Sequence, residues 1–98
     1  MESSYDLEEL KKLLQDENTR YITPESIREA NKLGFSETEI VEIILSLKRD
    51  DFYKTMPAKK FQKMWQDVYK PRIKGQILYI KLQKSFNGKG VVISFKEK

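Results

Sequence analysis

The stretch from Trp65 to Lys98, WQDVYKPRIKGQILYIKLQKSFNGKGVVISFKEK, decides the fold. Within it, Gly75 to Lys84 and Val91 to Glu97 alternate apolar and polar residues, which is the two-residue period of a half-buried strand. Asn87-Gly88 lies between the two runs, and this dipeptide favours a two-residue turn. The stretch therefore predicts a β-hairpin.

The register of this hairpin follows if Asn87 and Gly88 alone form the turn. Tyr79 then lies opposite Lys96. The other pairs of the predicted register are Lys81 with Ser94, Ile80 with Phe95, and Leu82 with Ile93. A longer loop through Gly90 would slide the pairing, so the register depends on the turn.

This register predicts one apolar and one polar face, because successive side chains of a strand point to opposite sides. The apolar face consists of Leu78, Ile80, Leu82, Ile93 and Phe95. The polar face presents a phenol, a hydroxyl and two ammonium groups, from Tyr79, Lys81, Ser94 and Lys96. We expect the first face to pack and the second to form a basic site.

Three amphipathic segments precede the hairpin. Their N-terminal caps are Asp6, Thr23 and Ser36, and Gly34 is placed to stop the second segment. We predict helices over Leu7 to about Gln15, from Pro24 to the stop at Gly34, and from Ile40 to roughly Lys48, and a short edge strand over Arg20 to Ile22. The third helix is apolar around most of its circumference, so it should be buried against the sheet.

The segment between the helices and the hairpin has conflicting patterns. Asp51 to Pro57 reads as extended. Either a helix or a strand fits residues 58–66, because Phe61, Met64, Trp65 and Val68 have helical spacing, whereas Trp65 to Tyr69 favours a strand. We prefer a loop to about Gln62 and a strand from Met64 to Lys70, ended by Pro71, with Pro71 to Gly75 turning into the hairpin.

Together these elements predict an α+β fold, with three N-terminal helices packed on one face of a mainly antiparallel C-terminal sheet. The length of 98 residues fits one domain, residues 1–98. No stretch is apolar and long enough to cross a membrane, and the acidic start MESSYDLEE has no apolar signal region. The cytoplasm is therefore the expected compartment.

Composition limits the chemistry. The chain has no cysteine and no histidine, which excludes disulfides, thiolate nucleophiles, thiolate metal sites and imidazole bases. Any catalysis must use lysine, arginine, tyrosine, carboxylate, amide or hydroxyl groups.

Charge is divided unevenly along the chain. Residues 1–50 contain 7 Lys and Arg against 12 Asp and Glu, a net charge of −5, whereas residues 51–98 contain 12 against 3, a net charge of +9. Aromatic residues lie among the C-terminal lysines, a combination that favours a polyanion, with aromatic rings available to stack on bases. The alternative is a solvated lysine surface that protects strand edges from aggregation.

Several segments of the last half resemble the MqsR-type toxins, the mRNA-cleaving partners of bacterial toxin–antitoxin pairs, which have a RelE-like fold. The matching segments are Asp51-Phe52-Tyr53-Lys54, Trp65-Gln66-Asp67-Val68-Tyr69 followed by Pro71-Arg72, Tyr79-Ile80-Lys81, and Ser94-Phe95-Lys96-Glu97-Lys98. The first half is similar to the family only in its helical layout.

The resemblance implies a ribosome-independent endoribonuclease that cleaves mRNA at short sequence sites, inhibits translation and growth, and needs no metal or other cofactor. Its implied partners are single-stranded mRNA and a cognate antitoxin. The implied active-site residues are Lys54, Gln66, Tyr79 and Lys96, and the implied phosphate contacts are Arg72 and Lys81.

These residue types allow RNA cleavage by attack of its own 2′-hydroxyl, which needs a base, cations at the phosphate and an acid at the leaving oxygen. A free lysine has a pKa of about 10.4, so a lysine base requires cationic neighbours or desolvation. Our hypothesis is that Lys54 or Lys96 moves the proton while the other cations hold the phosphate. Tyr79 would orient or protonate the leaving oxygen, and Gln66 would position the nucleotide.

Two other functions use the same residues. One is a non-catalytic RNA- or DNA-binding module that holds phosphates and stacks bases on the basic aromatic face. The other is a protein-interaction domain whose basic sheet binds an acidic partner. RNA cleavage in EDTA separates both from a nuclease.

Overall fold

The computed structural model describes residues 2–60 and 63–98, which form three helices, a short 3₁₀ turn and a six-stranded sheet. The helices are α1 (Leu7–Gln15), α2 (Pro24–Lys32) and α3 (Glu37–Leu45). The strands are β1 (Arg20–Ile22), β2 (Phe52–Pro57), β3 (Trp65–Tyr69), β4 (Arg72–Ile73), β5 (Gln76–Lys84) and β6 (Gly90–Glu97). None of the helices in this part of the chain has the length and apolar run needed to span a bilayer.

The sheet has the order β1-β6-β5-β3-β2, and β4 pairs with one end of β5. β1 runs parallel to β6, and the other pairs are antiparallel. The predicted strands at Arg20 to Ile22 and Met64 to Lys70 are confirmed as β1 and β3, so the β-favouring pattern decides the second segment. The predicted loop before β3 includes residues 61 and 62, which lie outside the described residues.

The predicted caps are confirmed at all three helices, although α3 begins at Glu37 rather than at the predicted Ile40. The Asp6 carboxylate accepts from the Glu9 N–H at 3.1 Å, and the Thr23 hydroxyl accepts from the Ser26 N–H at 3.1 Å. At α3, Ser36 and Glu39 each cap the other's backbone N–H.

The third helix ends at Leu45 rather than at the predicted Lys48. The Asp51 carboxylate accepts from the Lys48 N–H at 2.8 Å and holds Lys48 in an extended conformation. The Ser46 hydroxyl also donates to the Ile43 carbonyl at 2.6 Å, which satisfies an acceptor of the last turn. These local side-chain bonds compete with further helix, and Leu47 instead turns into the core.

One hydrophobic core joins the helices to one face of the sheet. Its fully buried side chains include Leu10, Leu14, Ala30, Ile40, Ile44, Leu78, Ile80, Leu82, Val92 and Phe95. α2 also lies along the edge of β6 beyond β1. The Ser26 hydroxyl donates to the Val92 carbonyl at 3.0 Å, and the Glu29 carboxylate accepts from the Phe95 N–H at 2.9 Å. Side chains of this helix thus satisfy backbone groups that an edge strand would leave open.

The β5–β6 hairpin has three loop residues instead of the two predicted. Ser85 pairs with Lys89 through its N–H at 2.9 Å, and the Gly88 N–H donates to the Ser85 carbonyl at 3.0 Å. Gly88 adopts φ +83°, which a glycine tolerates at no steric cost. The extra loop residue moves the pairing by one position, so that Lys84 lies opposite Gly90.

A β-bulge at Ile93 then restores the predicted register. Leu82 pairs with Val92 and Lys81 with Ser94, which leaves Ile93 as an extra residue of β6. The predicted pairs Tyr79–Lys96, Ile80–Phe95 and Lys81–Ser94 are confirmed, and the pair Leu82–Ile93 is wrong. Val92 takes the core position that we predicted for Ile93, which is only partly buried and lies on the other side of the sheet.

The predicted turn from Pro71 to Gly75 contains a second, smaller hairpin. Arg72 pairs with Ile77, and Ile73 pairs with Gln76. The two residues between them, Lys74 and Gly75, have φ of 51° and 83°, as a two-residue hairpin turn requires. This hairpin fixes the strand that carries Arg72 to the start of β5.

Candidate active site

The side of the sheet away from the core carries a row of polar and basic residues. The strand register aligns Lys54, Val68, Lys81 and Ser94 across β2, β3, β5 and β6. Because directly paired residues share a face, Lys54 and Lys81 project on the same side with one buried valine between them. Gln66, Tyr79 and Lys96 belong to this side by strand alternation.

The structure therefore brings together five of the six predicted site residues. We call the surface formed by Lys54, Gln66, Tyr79, Lys81 and Lys96 the basic face. Arg72 lies at its end. The pairing with Ile77 places Arg72 two residues along β5 from Tyr79.

Tyr79 lies between two ammonium groups on the basic face. The Lys96 Nζ is 5.4 Å from the centroid of its ring, and the Lys81 Nζ is 5.8 Å from it. Both distances are within the range of cation–π attraction. The Tyr79 hydroxyl reaches toward β2 and donates a weak bond to the Met56 sulfur at 3.9 Å. The phenol is therefore held near the middle of the sheet, among the lysines.

Gln66 is fixed by its neighbour on β5. Its side chain is only 8% exposed, and its Nε2 donates to the Gln83 Oε1 at 2.8 Å. Gln83 in turn donates to the Met64 sulfur at 3.8 Å. A primary amide has a second hydrogen and a carbonyl oxygen, so the Gln66 side chain retains a donor and an acceptor beyond this bond.

Lys54 lies beside an irregularity of β2. The pairing of β2 with β3 shifts between Phe52 and Lys54, which leaves Tyr53 51% exposed. The Lys54 Nζ is 5.5 Å from the Tyr53 ring centroid, and the Lys70 Nζ is 3.3 Å from it. This second aromatic–cation contact lies at the outer edge of the sheet. Of its residues, Lys54 was predicted as a site residue, whereas Tyr53 and Lys70 were not.

Lys81 is electrostatically distinct. Burial lowers its pKa from the ordinary value of 10.5, and the positive charges of Lys96, Lys59 and Lys54 lower it further. The Glu29 carboxylate opposes this shift. Lys81 is therefore neutral more often near pH 7 than a free lysine is, which is the condition for accepting a proton.

Glu29 connects α2 to the basic face. Its Oε1 accepts from the Phe95 N–H at 2.9 Å and from the Ser94 hydroxyl at 3.1 Å. Ser94 is the direct cross-strand partner of Lys81. Glu29 thus fixes β6 immediately before Lys96 and places a negative charge near Lys81.

A cavity of about 530 Å³ opens beside the basic face. It is lined by Thr23, Pro24, Glu25, Lys59, Lys60, Gln66, Lys81 and Ile93. Two of these residues, Gln66 and Lys81, were predicted site residues. No site role was predicted for Lys59 and Lys60 of the β2–β3 loop, and Ile93 was assigned to the core. No sequence pattern indicated the bulge that turns Ile93 toward this cavity.

A second cavity, of about 460 Å³, lies near the N-terminus and is lined in part by Arg49 and Tyr69. Burial raises the pKa of Tyr69 to about 12, and the charges of Asp67 and Asp6 also raise it. This phenol stays protonated at neutral pH. Two carboxyl side chains, from Glu2 and Asp6, also line this cavity, which thus differs in charge from the basic face.

Comparison with known proteins gives a family for the chain. The family model described as "Motility quorum-sensing regulator, toxin of MqsA" matches residues 2–97. A relative named mRNA interferase toxin MqsR, from Escherichia coli (strain K12), is 33% identical over 92 residues, which cover 94% of this chain and 91% of the relative. The match includes both the helices and all six strands, so it extends beyond the C-terminal segments that suggested the resemblance. The chain belongs to the MqsR toxin family.

Proposed function

We propose that this chain is an mRNA interferase toxin, an endoribonuclease that cuts single-stranded mRNA without a metal ion or the ribosome. The name of the E. coli relative and the family membership support the activity. The observation that carries the mechanism is the grouping of Lys54, Gln66, Tyr79 and Lys96 around Lys81, whose pKa is lowered.

The reaction uses the 2′-hydroxyl of the substrate as the nucleophile. Its oxygen attacks the adjacent phosphorus as its proton leaves to a base, and the bond from phosphorus to the 5′-oxygen breaks. The departing 5′-oxygen takes up a proton. The products are a 2′,3′-cyclic phosphate and a 5′-hydroxyl, and the protein supplies two proton transfers and stabilisation of the negative phosphorane.

Lys81 is the proton acceptor in this mechanism. It lies at the centre of the basic face, directly between Val68 and Ser94 in the register of the sheet. Burial and three cationic neighbours lower its pKa, so the cost of deprotonating it is smaller than for an exposed lysine. We thereby assign to Lys81 the role that the sequence analysis divided between Lys54 and Lys96.

The other residues of the basic face stabilise the reacting phosphate and the leaving group. Lys54 and Lys96 flank Lys81 and offset the charge that grows on the phosphate oxygens. The Tyr79 hydroxyl protonates or orients the leaving 5′-oxygen. Gln66 positions the nucleotide through its remaining donor and acceptor. Arg72, at the end of the face, contacts a neighbouring phosphate.

The biological setting follows from the family. A family described as the toxin of MqsA implies a cognate antitoxin that neutralises this chain. Free toxin would then cleave mRNA in the cytoplasm and stop translation and growth. We further propose that residues 1–98 act as one domain of the RelE-like superfamily, with the helices supporting one side of the sheet and the RNA bound to the other.

The test is cleavage of a defined transcript by the purified chain in EDTA, with both ends of each fragment identified. We expect fragments with 2′,3′-cyclic phosphate and 5′-hydroxyl ends. Lys84→Met is a matched control, because Lys84 lies on the same strand but bonds to Glu9 on the helix side at 3.4 Å. Intact RNA would contradict the nuclease, and RNA binding without cleavage would favour the binding module.

A further inference from the structure

The 530 Å³ cavity beside the basic face has the size and the mixed lining of a small-ligand site. Two of its lining residues, Gln66 and Lys81, also belong to the basic face. A nucleotide whose 2′-hydroxyl contacts Lys81 therefore has this cavity within immediate reach.

Part of the cavity wall is apolar. Ile93 and Pro24 both line it, one from β6 and the other from the first turn of α2. Ile93 is present because of the β-bulge, which places an extra apolar side chain on the basic side of the sheet. Hydrogen bonds from Ser26 to the Val92 carbonyl and from Phe95 to Glu29 fix β6 on both sides of this bulge. The wall is therefore held in place and suits the flat face of a base.

One carboxylate lines the cavity among the described residues, and it belongs to Glu25. Three lysines share the same lining, Lys59, Lys60 and Lys81. A site for phosphate alone would gain nothing from a carboxylate, which repels anions. An ionised carboxylate only accepts hydrogen bonds, so its chemical complement is an N–H group.

The four RNA bases differ in this property. Adenine, cytosine and guanine each carry an exocyclic amino group. Uracil has none, and its N3–H donor lies between two carbonyl oxygens that a carboxylate repels. A carboxylate accepts from an amino group, as Glu and Asp do from cytosine, and repels a carbonyl oxygen.

We propose that this cavity binds one base next to the scissile phosphate and that Glu25 selects an amino-bearing base over uracil. The inference rests on the proposed function and adds a specificity residue to it. Pro24 and Ile93 hold the base by apolar contact, Glu25 accepts from its amino group, and Gln66 joins the pocket to the reacting centre.

The test measures binding with probes that cannot react. We would use fluorescent 2′-fluoro RNA heptamers with three uracils on each side of a central A, C or G, together with the all-uracil heptamer. The wild-type chain should bind at least one amino-bearing probe about tenfold more tightly than the all-uracil probe. Glu25→Gln should reduce that ratio to near one.

Glu37→Gln is the matched control. Glu37 also lies in the first turn of a helix and is exposed, but it belongs to α3 and does not line the cavity. It should retain the wild-type ratio, and thermal melts should show both variants folded. Equal binding of all four probes by the wild type, or an unchanged ratio in Glu25→Gln, would overturn the pocket. Failure of the proposed function would appear separately, as intact RNA in the EDTA experiment.

Discussion

The two faces of β5 carry neighbouring residues with opposite tasks. Ile80 is 0% exposed and packs in the core with Phe95 opposite it, whereas Lys81, the next residue, projects into the basic face with Ser94 opposite it. On the core side, both side chains are apolar and fully buried. On the basic side, a half-buried lysine is surrounded by other lysines, an arrangement that costs stability.

The treatment of charge separates the two faces further. On the core side, the buried Asp67 carboxylate accepts from the Ser4 and Tyr5 N–H groups, both at 2.9 Å. The two ion pairs found in residues 2–60 and 63–98, Lys11–Glu8 and Lys84–Glu9, involve α1 rather than the basic face. Charges are thus satisfied where the sheet supports the helices and left repelling one another where it would meet RNA. We propose that burial, together with this repulsion, makes Lys81 the reactive amine.

The largest effect should come from removing the proposed base. Lys81→Met should lower the cleavage rate about 10²- to 10⁴-fold, the usual contribution of a general base. Lys84→Met, three residues away on the opposite face, should change it little. Single-turnover cleavage of one transcript measures both, and equal losses in the two variants would remove the distinction between the faces.

A second comparison uses two tyrosines on neighbouring strands. Tyr79→Phe removes the phenol from the basic face and should lower the cleavage rate by about 10²-fold. Tyr69→Phe removes a phenol buried on the core side and should leave cleavage near the wild-type rate. The same single-turnover assay decides between them. Wild-type cleavage by Tyr79→Phe would exclude the hydroxyl from proton transfer.

The two faces should differ in their effect on stability: a substitution in the core should destabilise the fold, and one on the basic face should stabilise it. Ile80→Ala deletes a fully buried side chain and should cost about 2–5 kcal/mol in urea unfolding. Lys81→Met should instead raise the melting temperature at pH 7 by a few degrees. Because its pKa is lowered in the folded state, Lys81 binds fewer protons in the folded than in the unfolded chain between that lowered pKa and 10.5. Protonated Lys81 therefore costs stability at pH 7, and the cost is relieved as the pH rises through this window. A Lys81→Met variant less stable than the wild type would contradict this reading.

Much of the sheet could be predicted because strand alternation and caps are local signals. The pairing of Tyr79 with Lys96 was nevertheless reached from an incorrect turn. The loop contains one more residue than predicted, and the bulge at Ile93 removes the difference. The longer loop and the bulge shift the register by one residue each, in opposite directions. Counting residues outward from the turn therefore gives the correct pairs beyond the bulge, although both irregularities were missed.

The remaining features of the site depend on contacts between distant segments. Glu29 bonds to β6 across 66 residues of sequence, and the cavity joins α2, the β2–β3 loop and three strand residues. The hydrophobic periodicity of the sequence carries no information about contacts between such distant segments. The lysine with the lowered pKa was likewise hidden, because its shift depends on burial and on three lysines from other segments.

The central claim is that Lys81, whose pKa is lowered by burial and by neighbouring cations, accepts the proton. The most direct test is the pH dependence of kcat/KM for RNA cleavage in the wild type, Lys96→Gln and Glu29→Gln. Lys96→Gln removes a cation that lowers the Lys81 pKa, and Glu29→Gln removes an anion that raises it. We predict that the ascending limb shifts to higher pH in Lys96→Gln and to lower pH in Glu29→Gln, and limbs that stay in place or shift in the same direction would contradict the account.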